Sequence, residues 1–184
     1  MKFAKIQSSS PFVVLFLLGF LLNTVTVNVE AKNDNKYKQI LSVIDSMGTG
    51  EQEVTVCDTS TTARLGMTFY AGFSSVEFEL DVYDGVNITQ AHLHCAPAGV
   101  NGPVVAFLFG LQPPVHVDGE LVYGEIMNDD IVSFDDPNGA CGVTINNVAS
   151  LYEAILQRKI YLNVHSTACP AGVTRAQMIP HMAY

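Results

Sequence analysis

Between Ser75 and Val82 apolar and polar side chains alternate, with Val76, Phe78, Leu80 and Val82 on one side and Ser75, Glu77, Glu79 and Asp81 on the other. A period of two is the repeat of an extended chain with one buried face, so the segment predicts a half-buried antiparallel strand. Similar strands are expected at about residues 64–70, 88–95, 103–109, 120–127, 159–165 and 173–180, parted by Gly, Asn, Asp or Pro. One stretch has a different period. Val148, Leu151, Tyr152 and Ile155 recur at i, i+3, i+4 and i+7, behind Asn146 and Asn147, either of which can cap a helix start. The whole pattern predicts an all-β fold: an antiparallel sandwich or barrel of roughly seven strands with one short helix.

The N-terminus is of another kind. Lys2 and Lys5 precede an apolar run from Phe12 to Leu22, and Val29-Glu30-Ala31 offers small residues at the first and third places of a cleavage site. Residues 1–31 are therefore read as a signal peptide. The run is shorter than the roughly 20 residues a membrane span needs. No second run of that length follows, so the mature form is expected to lack a membrane span and to be secreted. Residues 32–50 are polar, end in Met47-Gly48-Thr49-Gly50, and read as a linker outside the core. That leaves residues 51–184 as one domain.

Cleavage removes Lys2, Lys5 and Glu30, so nine basic and eighteen acidic residues become seven and seventeen, a net charge of −10. Like-charge repulsion makes nucleic acid a poor partner and leaves an extracellular protein or surface as the expected one. Outside the cytosol the four cysteines, Cys57, Cys95, Cys141 and Cys169, are expected to form two disulfides. Of the three pairings, Cys95 with Cys141 and Cys57 with Cys169 is preferred, although the order of the cysteines alone does not choose. Asn87-Ile88-Thr89 is a glycosylation sequon.

The strongest chemical signal is Ala91-His92-Leu93-His94-Cys95. In a strand, His92 and His94 point to the same side. Along Ile160-Tyr161-Leu162-Asn163-Val164-His165, alternation sends Ile160, Leu162 and Val164 to a core and Tyr161, Asn163 and His165 outward, so a third imidazole can join the pair. Three neutral imidazoles suit copper or zinc and leave a position open. The plainer reading is that these histidines hydrogen-bond neighbouring backbone and order the loops. If they hold a metal, its affinity should fall as pH drops through about 6.5. A blue-copper site would also need a thiolate, but Cys95 must face the other way, with Ala91 and Leu93. Asp129, Asp130, Asp135 and Asp136 match no EF-hand spacing and read as turn residues. No G-x-S-x-G elbow or phosphate cradle appears.

The run from Ala91 through Ala96-Pro97-Ala98-Gly99-Val100-Asn101-Gly102-Pro103 to Val105 resembles the central motif of the CHRD domain, the module named after chordin. Tyr161 to Ser166 and Pro170-Ala171-Gly172-Val173-Thr174-Arg175-Ala176-Gln177 resemble its closing motif. The resemblance covers roughly residues 51–180 and marks Gly99, Asn101, Gly102, Pro103, Tyr161, Asn163, Gly172, Arg175 and Gln177 as motif positions. It implies an immunoglobulin-like β-barrel distantly similar to copper/zinc superoxide dismutases, with no settled activity. Two positions depart from the pattern: Val173 stands where an acidic residue is usual, and Ala176 where a glycine is. Dismutase activity is not expected, because no histidine lies between His94 and His116 to build a zinc subsite. The expected function is a non-catalytic extracellular binding module, with a copper or zinc protein as the alternative.

Overall fold

A computed structural model describes residues 40–135 and 138–180. The expected signal peptide lies outside them. Strand β1 (Ile40–Thr49) runs antiparallel to β2 (Thr62–Tyr70), from Ile40 opposite Tyr70 to Thr49 opposite Thr62. β2 in turn pairs with the first part of β3 (Ser75–Cys95). The second part of β3 pairs with β8 (Ile160–Ser166), β8 with β9 (Thr174–Gln177), and β9 returns to β1 through Thr49 and Arg175. The pairings thus close on themselves as a small barrel. β4 (Val104–Phe109) and β5 (Val115–Met127) lie on the other edge of β3.

β3 is a single strand of 21 residues where the alternation suggested two. Its middle is irregular: the ladder register shifts between Val82 and Gly85 and again before Gln90, and Asp84 and Asn87 have φ of 51° and 54°. Bulges of this kind bend a strand and change which residues face inward. Before the bend the even residues Val76, Leu80 and Val82 are buried in the core; after it Ala91, Leu93 and Cys95 take over. That change of phase is what sends His92 and His94 to the face away from the apolar core.

The expected linker, residues 32–50, is corrected over its second half, since residues 40–49 are strand β1. The inward positions of β1 include Ile44, Ser46 and Gly48, a series too polar and too small to read as apolar alternation. Gly48 is small for a reason: a Cβ there would come within 2.9 Å of the backbone of Arg175. Two short strands, β6 (Phe134–Asp135) and β7 (Thr144–Ile145), form a separate ribbon that the pattern did not suggest. Of the acids expected in turns, Asp129 and Asp130 lie in a short helical turn, where Asp130 accepts from the Met127 amide at 2.8 Å, whereas Asp135 is in strand β6 and accepts from the Thr144 hydroxyl; Asp136 lies outside the described residues.

The helix expected near residue 148 is α1 (Val148–Leu156). Asn147 caps it by accepting from the Ser150 amide at 2.8 Å, and Val148, Leu151, Ala154 and Ile155 are buried against the core. Disulfides join Cys57 to Cys169 and Cys95 to Cys141, with Cα atoms 6.3 and 5.0 Å apart. In the chain-entropy account, closing sequence separations of 112 and 46 residues stabilises the fold by about 5 and about 4 kcal/mol. Among the described residues no helix is long and apolar enough to cross a membrane.

Candidate metal centre

Opposite the apolar core, the sheet carries a second, polar cluster. His92 on β3 stands across from Asn163 on β8, which stands across from Arg175 on β9; in the next row His94 faces Tyr161, and Tyr161 faces Gln177. His165 completes the group from the far end of β8. The outward placing of Tyr161, Asn163 and His165 needs one correction. They leave the core as the alternation says, yet they are only 2%, 3% and 8% exposed.

Two loops provide this cover. Over residues 96–102 the Gly102 amide donates to the Tyr161 hydroxyl at 3.0 Å, and Arg175 donates to the carbonyls of Pro97 and Val100, both at 3.0 Å. Gln177 adds bonds to the carbonyls of Ala96, Arg158 and Ile160. Gly102 itself must be glycine, because a Cβ there would lie 1.8 Å from the Cys95 carbonyl oxygen. On the other side Glu53 lies against Gly172 and accepts from the Asn163 amide at 2.9 and 3.1 Å. His94, Tyr161 and Arg175 form a stack, with near-parallel rings 5.1 Å apart and the guanidinium 3.5 Å from the Tyr161 centroid.

The three imidazoles converge. The potential ligand atoms of His92, His94 and His165 all lie within 4.8 Å of one another. His94 Nδ1 bonds the Gly102 carbonyl at 2.9 Å and His165 Nδ1 the Pro170 carbonyl at 3.0 Å. A carbonyl can only accept, so both Nδ1 atoms carry the proton and both Nε2 atoms present a bare lone pair. These two Nε2 atoms have no partner, and neither do the two ring nitrogens of His92. Six buried side-chain atoms are left unpaired among the described residues, and four of them sit on these rings. Unpaired buried nitrogens are costly, so their concentration in one place calls for a ligand. A metal fits after a closing movement: three nitrogens bound at about 2.0 Å lie about 3.3–3.5 Å apart around one ion, so the rings draw together from a spacing within 4.8 Å.

Burial keeps the rings neutral. It lowers the His92 pKa to about 4, helped by repulsion from His165 and His94. His94 and His165 are also lowered by burial, against the opposing effect of their carbonyl bonds. Glu53 moves the other way: burial raises it to about 7, although Asn163 and Arg175 favour its charged form.

A family model for the CHRD domain matches residues 44–178. The chain belongs to the CHRD domain family. Among curated proteins and solved structures no match is found. The CHRD match begins inside β1, consistent with the strand found there in place of a linker. Of the CHRD motif positions, Gly102, Tyr161, Asn163, Gly172, Arg175 and Gln177 surround the histidines, and Asn101 accepts from Arg175 at 3.4 Å. Val173 is turned inward and 3% exposed, so it offers nothing to the polar face. The carboxylate near Gly172 comes from Glu53, which nothing in the alternation singled out; Phe107, edge-on to His92 at 4.8 Å, was likewise missed. Both act on the site from distant segments, through contacts that local spacing does not encode. His116, in contrast, is exposed on β5, and Cys95 is buried and bridged to Cys141. Asn87 sits on the β3 bend, partly exposed.

Proposed function

We propose that the chain is a secreted, non-catalytic CHRD-domain module that binds one transition-metal ion, copper or zinc, through His92, His94 and His165. The observation that carries this reading is the set of unpaired lone pairs on three adjacent neutral imidazoles. His94 Nε2 and His165 Nε2 would be ligands, with Gly102 and Pro170 fixing their tautomers, and His92 would supply the third nitrogen. Secretion agrees with the two disulfides, and Asn87 is the expected glycan site. Protein purified without a tag and offered copper and zinc in turn should hold one equivalent, and the His92→Ala variant less than a tenth. Less than a tenth of an equivalent on the unaltered chain would remove the metal role.

A second reading, docking of an extracellular protein or surface, is favoured by Phe107 and Leu111, which are 56% and 78% exposed on β4 and just after it. A His92→Ala, His94→Ala double variant separates the two, because partner binding that survives the loss of metal belongs to the surface and not to the centre.

A further inference from the structure

We infer that the three-histidine centre selects monovalent copper over divalent ions, an inference that rests on the metal-binding reading above. The ligand group holds three uncharged imidazoles and no carboxylate. Thiolate is excluded as well, since no cysteine is free. An incoming ion therefore keeps its whole charge. The cost of burying an ion grows with the square of that charge, so a divalent cation pays about four times the desolvation of a monovalent one. His92 and His165, at 5% and 8% exposed, put the ion in a largely buried setting, with the partly exposed His94 as its wetter side.

The surroundings add to this discrimination. The Arg175 guanidinium stands one ring away, behind Tyr161, and its charge already acts on His94. Repulsion from a fixed cation doubles when the ion's charge doubles. At the spacing of this stack and an effective dielectric near 20, the extra unit is worth about tenfold in affinity. Glu53, which accepts from Asn163 on the far side of Arg175's row, offsets part of it, and among these two charges it is Arg175 that acts on His94.

Room for further ligands is also short. Phe107 packs against His92 with ring centroids 4.8 Å apart, and the stacked Tyr161 ring and the loop ending at Gly102 close on His94. Zinc completes a tetrahedron and divalent copper a tetragonal set, each needing at least one more ligand. Monovalent copper, which carries half the charge, is satisfied by three nitrogens.

The test uses the full chain, metal-free and under anaerobic conditions. Cuprous ion is supplied from its bicinchoninate complex, zinc against a chromophoric chelator, and the midpoint potential of the copper-loaded protein is recorded. The expected result is one equivalent of cuprous ion held at least about tenfold more tightly than zinc. The copper couple should lie at least ~59 mV above the aqueous one, the one-electron equivalent of tenfold. Arg175→Gln should narrow the preference by about tenfold; if that variant does not fold, the unaltered chain still decides. Zinc or cupric ion bound as tightly as cuprous ion would overturn the inference and leave the three-histidine centre standing. Binding of none of the three ions removes the centre itself, and the inference with it.

Discussion

Gly102→Ala probes the link between the CHRD loop and the histidines. The added methyl would sit 1.8 Å from the Cys95 carbonyl oxygen, 2.5 Å from its carbon and 2.9 Å from the Ala96 Cβ. None of these is the far end of a flexible side chain, so the loop must move outward. Overpacking of this kind costs about 1–3 kcal/mol. The displacement also breaks two partly buried hydrogen bonds, from the Gly102 amide to the Tyr161 hydroxyl and from His94 Nδ1 to the Gly102 carbonyl. Each broken bond is partly buried and open to water in the displaced loop, so its loss costs about 1 kcal/mol. A total near 3–5 kcal/mol follows, a large share of the roughly 5–15 kcal/mol that holds a domain together. Freed from its carbonyl, His94 loses its fixed tautomer, and metal affinity should fall about 10–100-fold. Urea unfolding with the disulfides intact measures the first effect, and chelator competition the second. Gly99→Ala is the control: its φ of +77° makes alanine costly by about 1–2 kcal/mol, but nothing lies within 4 Å of the new methyl, so metal affinity should not change. A Gly102→Ala protein that unfolds within about 1 kcal/mol of the parent and keeps its affinity would refute the reasoning.

Two further outcomes are expected. Because burial holds His92 near 4 and lowers His94 and His165, protons compete with the metal only well below the ordinary imidazole value of 6.5. Bound metal should therefore survive at pH 5.5 and be lost toward pH 4 in a titration followed by elemental analysis; release complete by pH 6 would contradict the buried geometry. In the metal-free chain these lowered values mean that stability falls as pH drops from 6.5 toward 4, where the unfolded state takes up protons first. Glu53 has the opposite sign, since its raised value of about 7 makes stability fall as pH climbs from 4.5 through 7. Glu53→Gln should remove that alkaline decline, and a urea midpoint still dropping between pH 5 and 8 in the variant would show that another group is responsible.

The alternation in Ser75–Val82, the capped helix at Val148 and the two histidines in one strand are local properties, and local sequence was enough to read them. Period and cap chemistry are decided by neighbours within a few residues. The same rule failed at β1, where the inward positions are filled by serine and glycine because another backbone lies close by. It also misjudged exposure. Alternation assigns a face, and says nothing of whether a loop from elsewhere lies over that face.

What the sequence determined by itself, then, was the all-β class, the helix, the CHRD resemblance and the three imidazoles that could meet. Tertiary structure alone decided that they do meet, that Glu53 and Phe107 belong beside them, and that loops cover most of the polar face away from the core. It also set the disulfide partners, which lie 112 and 46 residues apart in the chain. Contacts across such separations depend on how the ladders register and where β3 bends, and a one-residue shift at that bend would have turned both histidines into the apolar core.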